Sequence, residues 1–414
     1  MREMTRTGLA LTCAIMLLGG LLASCAGTTT TSSPPPSYRV RACAGGAAAG
    51  SGAASTGTAG LAPVYISEVG GTLLALSPDS GATLWCDQIT LVNFSQATAC
   101  GNHSCPPPPV IQPGQSLVTP SALYVCVSGW MGVTFALNPR TGAPRWSQRT
   151  GCMVTGRGFR DNALPVLAGA TLYSGDYALN ASDGAVRWPL PEDFTPALVD
   201  GPALYAYTTS AVAAFDAQTG QTLWRYTLPD ELASLPALAN GVLYVGDIGG
   251  DSPPAATPDQ PDTFALDART GKLLWRAPTG IASGSPVVVG GVVYVGGFGP
   301  AMFAVDATNG HIIWRDNTAY ARPTTPAVQD GVVYFTADGI YAVDAATGHI
   351  RWRQALGADQ SVAFTDVALT HSALYLGRTN GSGGSALYAL NPSDGAILWQ
   401  RSGLNQVGSP VAPA

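Results

Sequence analysis

The chain of 414 residues is expected to be all-β: an eight-bladed β-propeller of four-stranded antiparallel blades whose first blade is closed by the C-terminal strand. Three observations predict this. A tryptophan-ended segment recurs eight times, the recurrences are spaced 36 to 61 residues apart with most near forty, and the last residues supply a strand that the first repeat lacks. Composition agrees. Hydrophobic residues make up 46% and charged residues 11%, with 50 Gly and 32 Pro. That is too apolar for a disordered chain and too rich in turn formers for a helical one. A net charge of −6 leaves no basic footprint, so nucleic acid is not an expected partner.

Taken in order, residues 1–24 read as an export signal. Arg2 and Arg6 precede an apolar run, Leu9 to Leu22, of the length of a signal core and short for a bilayer span. The run ends in Leu22-Ala23-Ser24-Cys25, which resembles the lipobox of bacterial lipoproteins. That resemblance implies lipidation of Cys25; the alternative is an ordinary signal peptide with Cys25 removed or idle. Residues 25–60 then read as a tether. AGTTTTSSPPPS and CAGGAAAGSGAASTGTAG offer nothing to bury, so folded structure is expected from Leu61, and 61–414 form the propeller.

Beyond Cys13 and Cys25 the chain has six cysteines: Cys43, Cys86, Cys100, Cys105, Cys126 and Cys152. In an exported chain these are disulfide candidates, with the pairing open among the alternatives that six cysteines allow. His103 lies between Cys100 and Cys105, but no second pair follows at finger-like spacing, so no zinc site is expected.

The repeats end at Trp85, Trp146, Trp188, Trp224, Trp275, Trp314, Trp352 and Trp399, as in TFALDARTGKLLW and YAVDAATGHIRW. The apolar run is a strand. Asp-Ala-x-Thr-Gly is a tight turn in which the carboxylate caps backbone amides and Gly takes positive φ. The residues ending in Trp form the return strand. Upstream, segments such as SPVVVGGVVYVGG give a second hairpin, making four strands per unit. The first unit lacks the Pro-led strand, and GSPVAPA at the C-terminus matches it. A blade cannot bury both faces alone, so each Trp is read as an inter-blade dock. Asp216, Asp267, Asp306 and Asp344 are read as turn residues rather than catalytic carboxylates, because Asn or Ser fills the same position elsewhere.

The A-x-D-x-x-T-G-x-x-x-W pattern resembles the tryptophan-docking motif of quinoprotein (PQQ-dependent) dehydrogenases and of the wider group of PQQ-like repeat propellers, which includes the BamB lipoprotein of the outer-membrane assembly machinery. The resemblance covers residues 61–414 and specifies the fold more than an activity.

Short turns join strands one to two and three to four, and these share a rim. The length variation falls on the opposite rim, at Asp87–Ser116, Ser147–Asn162, Asp247–Asp262 and Arg378–Ser385. That rim is the expected binding face. Trp130, Arg157, Arg160, Phe298 and Arg378 are its candidate contact residues, and Trp130 is the one Trp outside the docking repeat. Glu68, Glu192, Asp193, Asp230 and Glu231 are a candidate cation cluster there, or a solvated acidic patch. Two functions follow from the resemblance. The first is a tethered, non-enzymatic scaffold that binds protein partners and needs no cofactor; Ala26 after Cys25 would suit outer-membrane routing. The alternative is a dehydrogenase of alcohols or sugars, which implies PQQ and Ca²⁺ held in the funnel by a Glu and an Asn beside a catalytic Asp. No residue maps onto those roles, and the chain lacks an adjacent Cys pair and a haem-type CxxCH. A hydrolase or lyase finds no motif in its favour.

Overall fold

In a computed structural model the described residues are 37–43, 62–92, 112–128, 132–151, 164–191, 194–229, 231–232, 234–247, 262–280, 284–297, 302–316, 324–357, 362–380 and 384–412. Their regular elements are all strands, arranged in eight antiparallel sheets of four or five strands. The expected eight-bladed propeller is what the chain forms.

Blade seven shows how the sequence makes one unit. Its strands are Ala327–Gln329, Val332–Thr336, Ile340–Asp344 and Ile350–Gln354, paired in that order. Asp330 (φ 51) and Gly331 (φ 72) turn the first hairpin, both in the left-handed region that matches the twist of a two-residue hairpin. At the second turn Asp344 Oδ1 accepts hydrogen bonds from the amides of Ala346 and Thr347 and from the Thr347 hydroxyl, at 3.0–3.1 Å. The return strand then carries a register shift. Ala342 faces Trp352, and the shift comes immediately after it. All eight blades repeat this: an alanine faces the Trp and the register slips at the next residue. Those alanines are fully buried. A methyl opposite the indole leaves room for it, and the bulge aims it at the neighbouring blade.

What the indole meets explains the rest of the motif. Trp314 Nε1 donates to the Ala345 carbonyl of blade seven at 3.0 Å, and Tyr294 from the same blade as Trp314 donates its hydroxyl to that carbonyl at 3.1 Å. The two rings lie 6.0 Å apart. Beneath the indole sits Gly348, where an added Cβ would stand 2.8 Å from ring carbons. Every seam places a turn glycine under the indole, and seven of the eight indoles donate to the carbonyl the tyrosine reaches, Trp188 being the exception, so the turn glycine is required twice, for its φ and for the space. At the last seam Trp399 and Tyr375 of blade eight reach the Pro78 carbonyl of blade one, at 2.7 and 3.4 Å. Truncating one such Trp costs about 3–5 kcal/mol.

Closure follows the expected route. Tyr65 and Val411 exchange both backbone hydrogen bonds at 2.9 Å, Gly408 N donates to Ser67 O, and Val69 N donates to Gln406 O, each at 2.8 Å. The C-terminal segment thereby becomes the inner strand of blade one.

The expected tether needs correction. Ser37–Ala42 is a strand, paired from Ser37↔Val92 to Ala42↔Asp87 with the outer strand of blade one, Thr83–Val92. That outer strand runs into the stretch expected to begin a loop at Asp87, because it has a partner. Folded structure thus starts well before Leu61. Low-complexity flanks hid a short segment whose Val40 packs against the core between blades one and two while Arg39 and Arg41 stay exposed. A disulfide between Cys43 and Cys86 fastens this added edge.

Candidate functional site at the long-loop rim

The strand order places the connections from strand two to three, and from each blade to the next, on one rim. Many residues expected to matter there lie outside the described residues: Trp130, Arg157, Arg160, Phe298, Glu192, Asp193, Asp230, Cys100, Cys105 and Cys152, as does Cys25. Cys126 is disulfide-bonded. Of the acidic candidates, Glu68 ends the second strand of blade one and is 6% exposed. It shares a strand face with Ile66, which packs on Leu387 and Leu404 of blade eight. Glu231 is exposed on the connection between blades four and five, nearly half the ring away. Among the described residues no three His, Cys, Asp or Glu side chains gather as a metal site.

Arg378 has the most developed surroundings. It lies in the second strand of blade eight, Leu374–Asn380, on the face of Leu374 and Leu376, which pack on Val332, Tyr334 and Ile340 of blade seven. Its stem therefore continues the apolar seam, and its guanidinium caps the rim end. Nη2 donates to the Gly357 carbonyl at 3.0 Å. Leu356 (φ 50) and Gly357 (φ 67), consecutive left-handed residues at the end of blade seven, turn that carbonyl. The Nε atom is buried and has no acceptor among the described residues. Beside it opens a cleft of about 550 Å³ lined by Gln354, Leu356, Gly357, Tyr388 and Gln400.

A second feature lies at the axis. Inner strands begin with Ser or Thr before Pro in several blades, and the amide of one blade donates to the side chain of the next: Ser285 N to Thr325 Oγ1 at 3.2 Å, then Thr325 N to Asp366 Oδ1 at 3.0 Å. Ser409, on the closing strand, also bonds to Asp366. Asp366 thus joins blades seven, eight and one, and burial pushes its carboxyl above the ordinary range against those hydrogen bonds. Sequence reading missed it. The signal was present, since Asp366-Val367 stands where other blades write Ser-Pro or Thr-Pro, but only strand register reveals the equivalence.

Further out, Arg353 Nη2 binds Asp338 Oδ2 at 2.7 Å and lies over the Tyr341 ring, 5.1 Å from its centre, while Tyr341 donates to Asp338 Oδ1. Burial and the neighbouring Asp338 raise the Tyr341 phenol well above its usual range. Between blades four and five, Arg276 approaches Asp262 at 3.4 Å, and the Asp262 amide donates to Asp247 Oδ1 at 2.7 Å. These groups are internally matched; Arg378 is not.

Known proteins resemble the chain as follows. Tetrathionate hydrolase of Acidithiobacillus ferrooxidans is 28% identical over 224 residues, covering 44% of this chain and 42% of the relative. Outer membrane protein assembly factor BamB of Yersinia pestis is 26% identical over 243 residues, covering 52% and 54%. The chain thus spans about half the length of these curated relatives. Among solved structures, quinohemoprotein alcohol dehydrogenase from Comamonas testosteroni shares the fold, with a TM-score of 0.52, 16% identity, and coverage of 71% of this chain and 68% of that one. Residues 44–196, 177–256 and 262–409 match the family model PQQ_2, described as outer membrane protein assembly factor BamB, and the chain belongs to that family.

Proposed function

We propose that the protein is a BamB-like scaffold: exported, tethered to a membrane by lipid on Cys25, and binding protein partners through its long-loop rim without enzymatic chemistry. The observation that carries this reading is the division of labour in the fold. The repeated residues are consumed in docking blades and closing turns, whereas the rim varies from blade to blade and holds an open cleft with an incompletely bonded cation. The family match points the same way. Binding would be built on a rigid ring, so partner contacts would cost little ordering of the scaffold.

The second reading, a PQQ- and Ca²⁺-dependent dehydrogenase, has the shared fold in its favour. At the axis the carboxylate of Asp366 is already engaged by Thr325 and Ser409, and among the described residues no three His, Cys, Asp or Glu side chains gather as a metal site. That donor set does not fit a cation that must polarise a quinone, so no step is derived through the cofactor.

The test is photo-crosslinking in cells of the native organism. A photoreactive residue replaces Ala355 or Thr379 on the long-loop rim, or Gly290 or Gly331 on the turn rim. Protein adducts at the first pair alone support the scaffold. Adducts at neither pair, together with saturable PQQ binding and dye-linked alcohol oxidation by the purified chain, would replace it with the dehydrogenase.

A further inference from the structure

The rim end of each seam is closed by the residue three positions after the seam tyrosine, on the face that looks back at the preceding blade. In blade eight this is Arg378, three after Tyr375. The equivalent position holds Glu68 in blade one, Asp176 in blade three and Asp247 in blade five, and an uncharged residue in the other four. Arg378 is therefore the single cation in the set. Asp247 has the backbone amide of Asp262, whereas Arg378 has one carbonyl for Nη2 and a buried Nε–H without an acceptor among the described residues. The ion pairs among the described residues bind Arg276, Arg351 and Arg353, and Arg378 is in none of them.

We infer that the cleft between blades seven and eight receives an acidic side chain from an extended segment of a protein partner, with the Arg378 guanidinium as its anchor. This rests on the scaffold reading. A guanidinium offers parallel N–H groups that match a carboxylate, and one tied through Nη2 is already oriented. The bond to Gly357 O holds it in place, and that carbonyl is presented by the left-handed pair Leu356-Gly357, a conformation a leucine rarely adopts. The apolar seam beneath, with Leu356 and Phe364 packed on the same cluster as Tyr388, keeps the guanidinium stem from collapsing away from the rim. Gln354 and Gln400 line the cleft with further amide donors. A cleft of about 550 Å³ exceeds a bare carboxylate and suits a side chain with its peptide backbone.

The full chain in detergent, labelled with ¹⁵N-arginine, would be titrated with acetyl-tetraglutamate amide and with its tetraglutamine counterpart while the arginine Nε–H resonances are followed. The resonance missing from Arg378→Lys identifies the site. The expected result is a saturable shift of that resonance with the glutamate peptide, none with the glutamine peptide, and binding weakened about tenfold or more in Arg378→Gln. Gln400→Glu, which sets a carboxylate inside the cleft, should block the peptide without lowering the melting temperature, and it serves if Arg378→Gln fails to fold. Equal binding by the glutamine peptide overturns the inference, as does unchanged affinity in a folded Arg378→Gln or Gln400→Glu. Competition by inorganic phosphate as strong as by the peptide also overturns it, since the site would then read charge alone. Rim crosslinks that persist in Arg378→Gln would sink this inference and leave the scaffold standing; absence of rim crosslinks would sink the scaffold.

Discussion

The interior of a seam and its rim end are three strand residues apart, about 10 Å, and obey different rules. Inside, all eight blades use the same set: a Gly beneath the indole, an Ala opposite it, and a Tyr reaching a carbonyl of the next blade, which the Trp shares in every seam but that of Trp188. At the rim end the blades agree on nothing, and the position carries Glu68, Asp247, Gly297 or Arg378 by turns. Identical chemistry marks what every blade needs in order to stack; differing chemistry marks what stacking leaves free. A residue that departs from the repeat is thus a better candidate for function than one that obeys it, even when the obedient residue is an aspartate or a tryptophan.

The seam between blades eight and one puts this most severely, because chain ends must meet there. Deleting Gln406 to Ala414 removes four backbone hydrogen bonds and the buried Val407. At about 1 kcal/mol for each bond, and about 2 for the side chain, the loss is about 6 kcal/mol, comparable to a whole domain's stability. Thermal melts should show loss of the cooperative transition or a drop of about 8 °C. A truncated chain melting with the parent would mean that the Trp399 and Tyr375 contacts to Pro78 close the ring alone.

Two glycines of blade seven separate conformation from packing. Gly331 (φ 72) and Gly348 (φ 73) have the same backbone, but an added methyl meets nothing within 4 Å at the first and the Trp314 ring at 2.8 Å at the second. Gly331→Ala should cost about 1 kcal/mol, the left-handed penalty alone. Gly348→Ala should cost about 1–3 kcal/mol more, because the indole must move. Denaturant midpoints measure the difference directly. Equal costs would show that the indole dock is loose, and with it the physical meaning of the repeat.

The same contrast explains what could be read in the sequence. Eight tryptophans, each four residues after a turn glycine, predicted blades and turns, because regular stacking demands regular residues. Ser37–Ala42 escaped notice since one edge strand has no repeat to belong to and its flanks are low in complexity. Asp366 escaped because its equivalence to Ser285 and Thr325 exists only in register, not in spelling. Arg378 was legible as a rim residue; its role as the lone cationic seam cap required knowing which way alternate side chains of Leu374–Asn380 face.

Titration gives the smallest effect and the finest separation of the two classes. Asp344 is held at a pKa of about 2, first by Arg351 and then by Thr347, and Asp216, Asp267 and Asp306 are lowered chiefly by the hydroxyls of Thr219, Thr270 and Thr308. A folded-state value below the unfolded 3.8 adds stability that is present above that pH and is withdrawn as pH falls toward about 2. Asp366 runs the other way. Its raised value makes its contribution fullest below 3.8 and progressively lost as pH rises through the folded value. Asp344→Asn keeps the acceptor, as Asn180 does for Ser182 at 3.0 Å, so the turn survives and only the decline below pH 4 should flatten. Asp366→Asn should leave the acid limb intact and gain on the parent as pH rises above the ordinary carboxylate range, read as a melting-temperature gap that widens with pH. A gap that stays constant would mean that the hydrogen bonds from Thr325 and Ser409 offset the burial, so that Asp366 is charged at little cost. The axial carboxylate would then belong with the turn aspartates, held by the hydrogen bonds that join its blades, and Arg378 would stand alone as the group that waits for a partner.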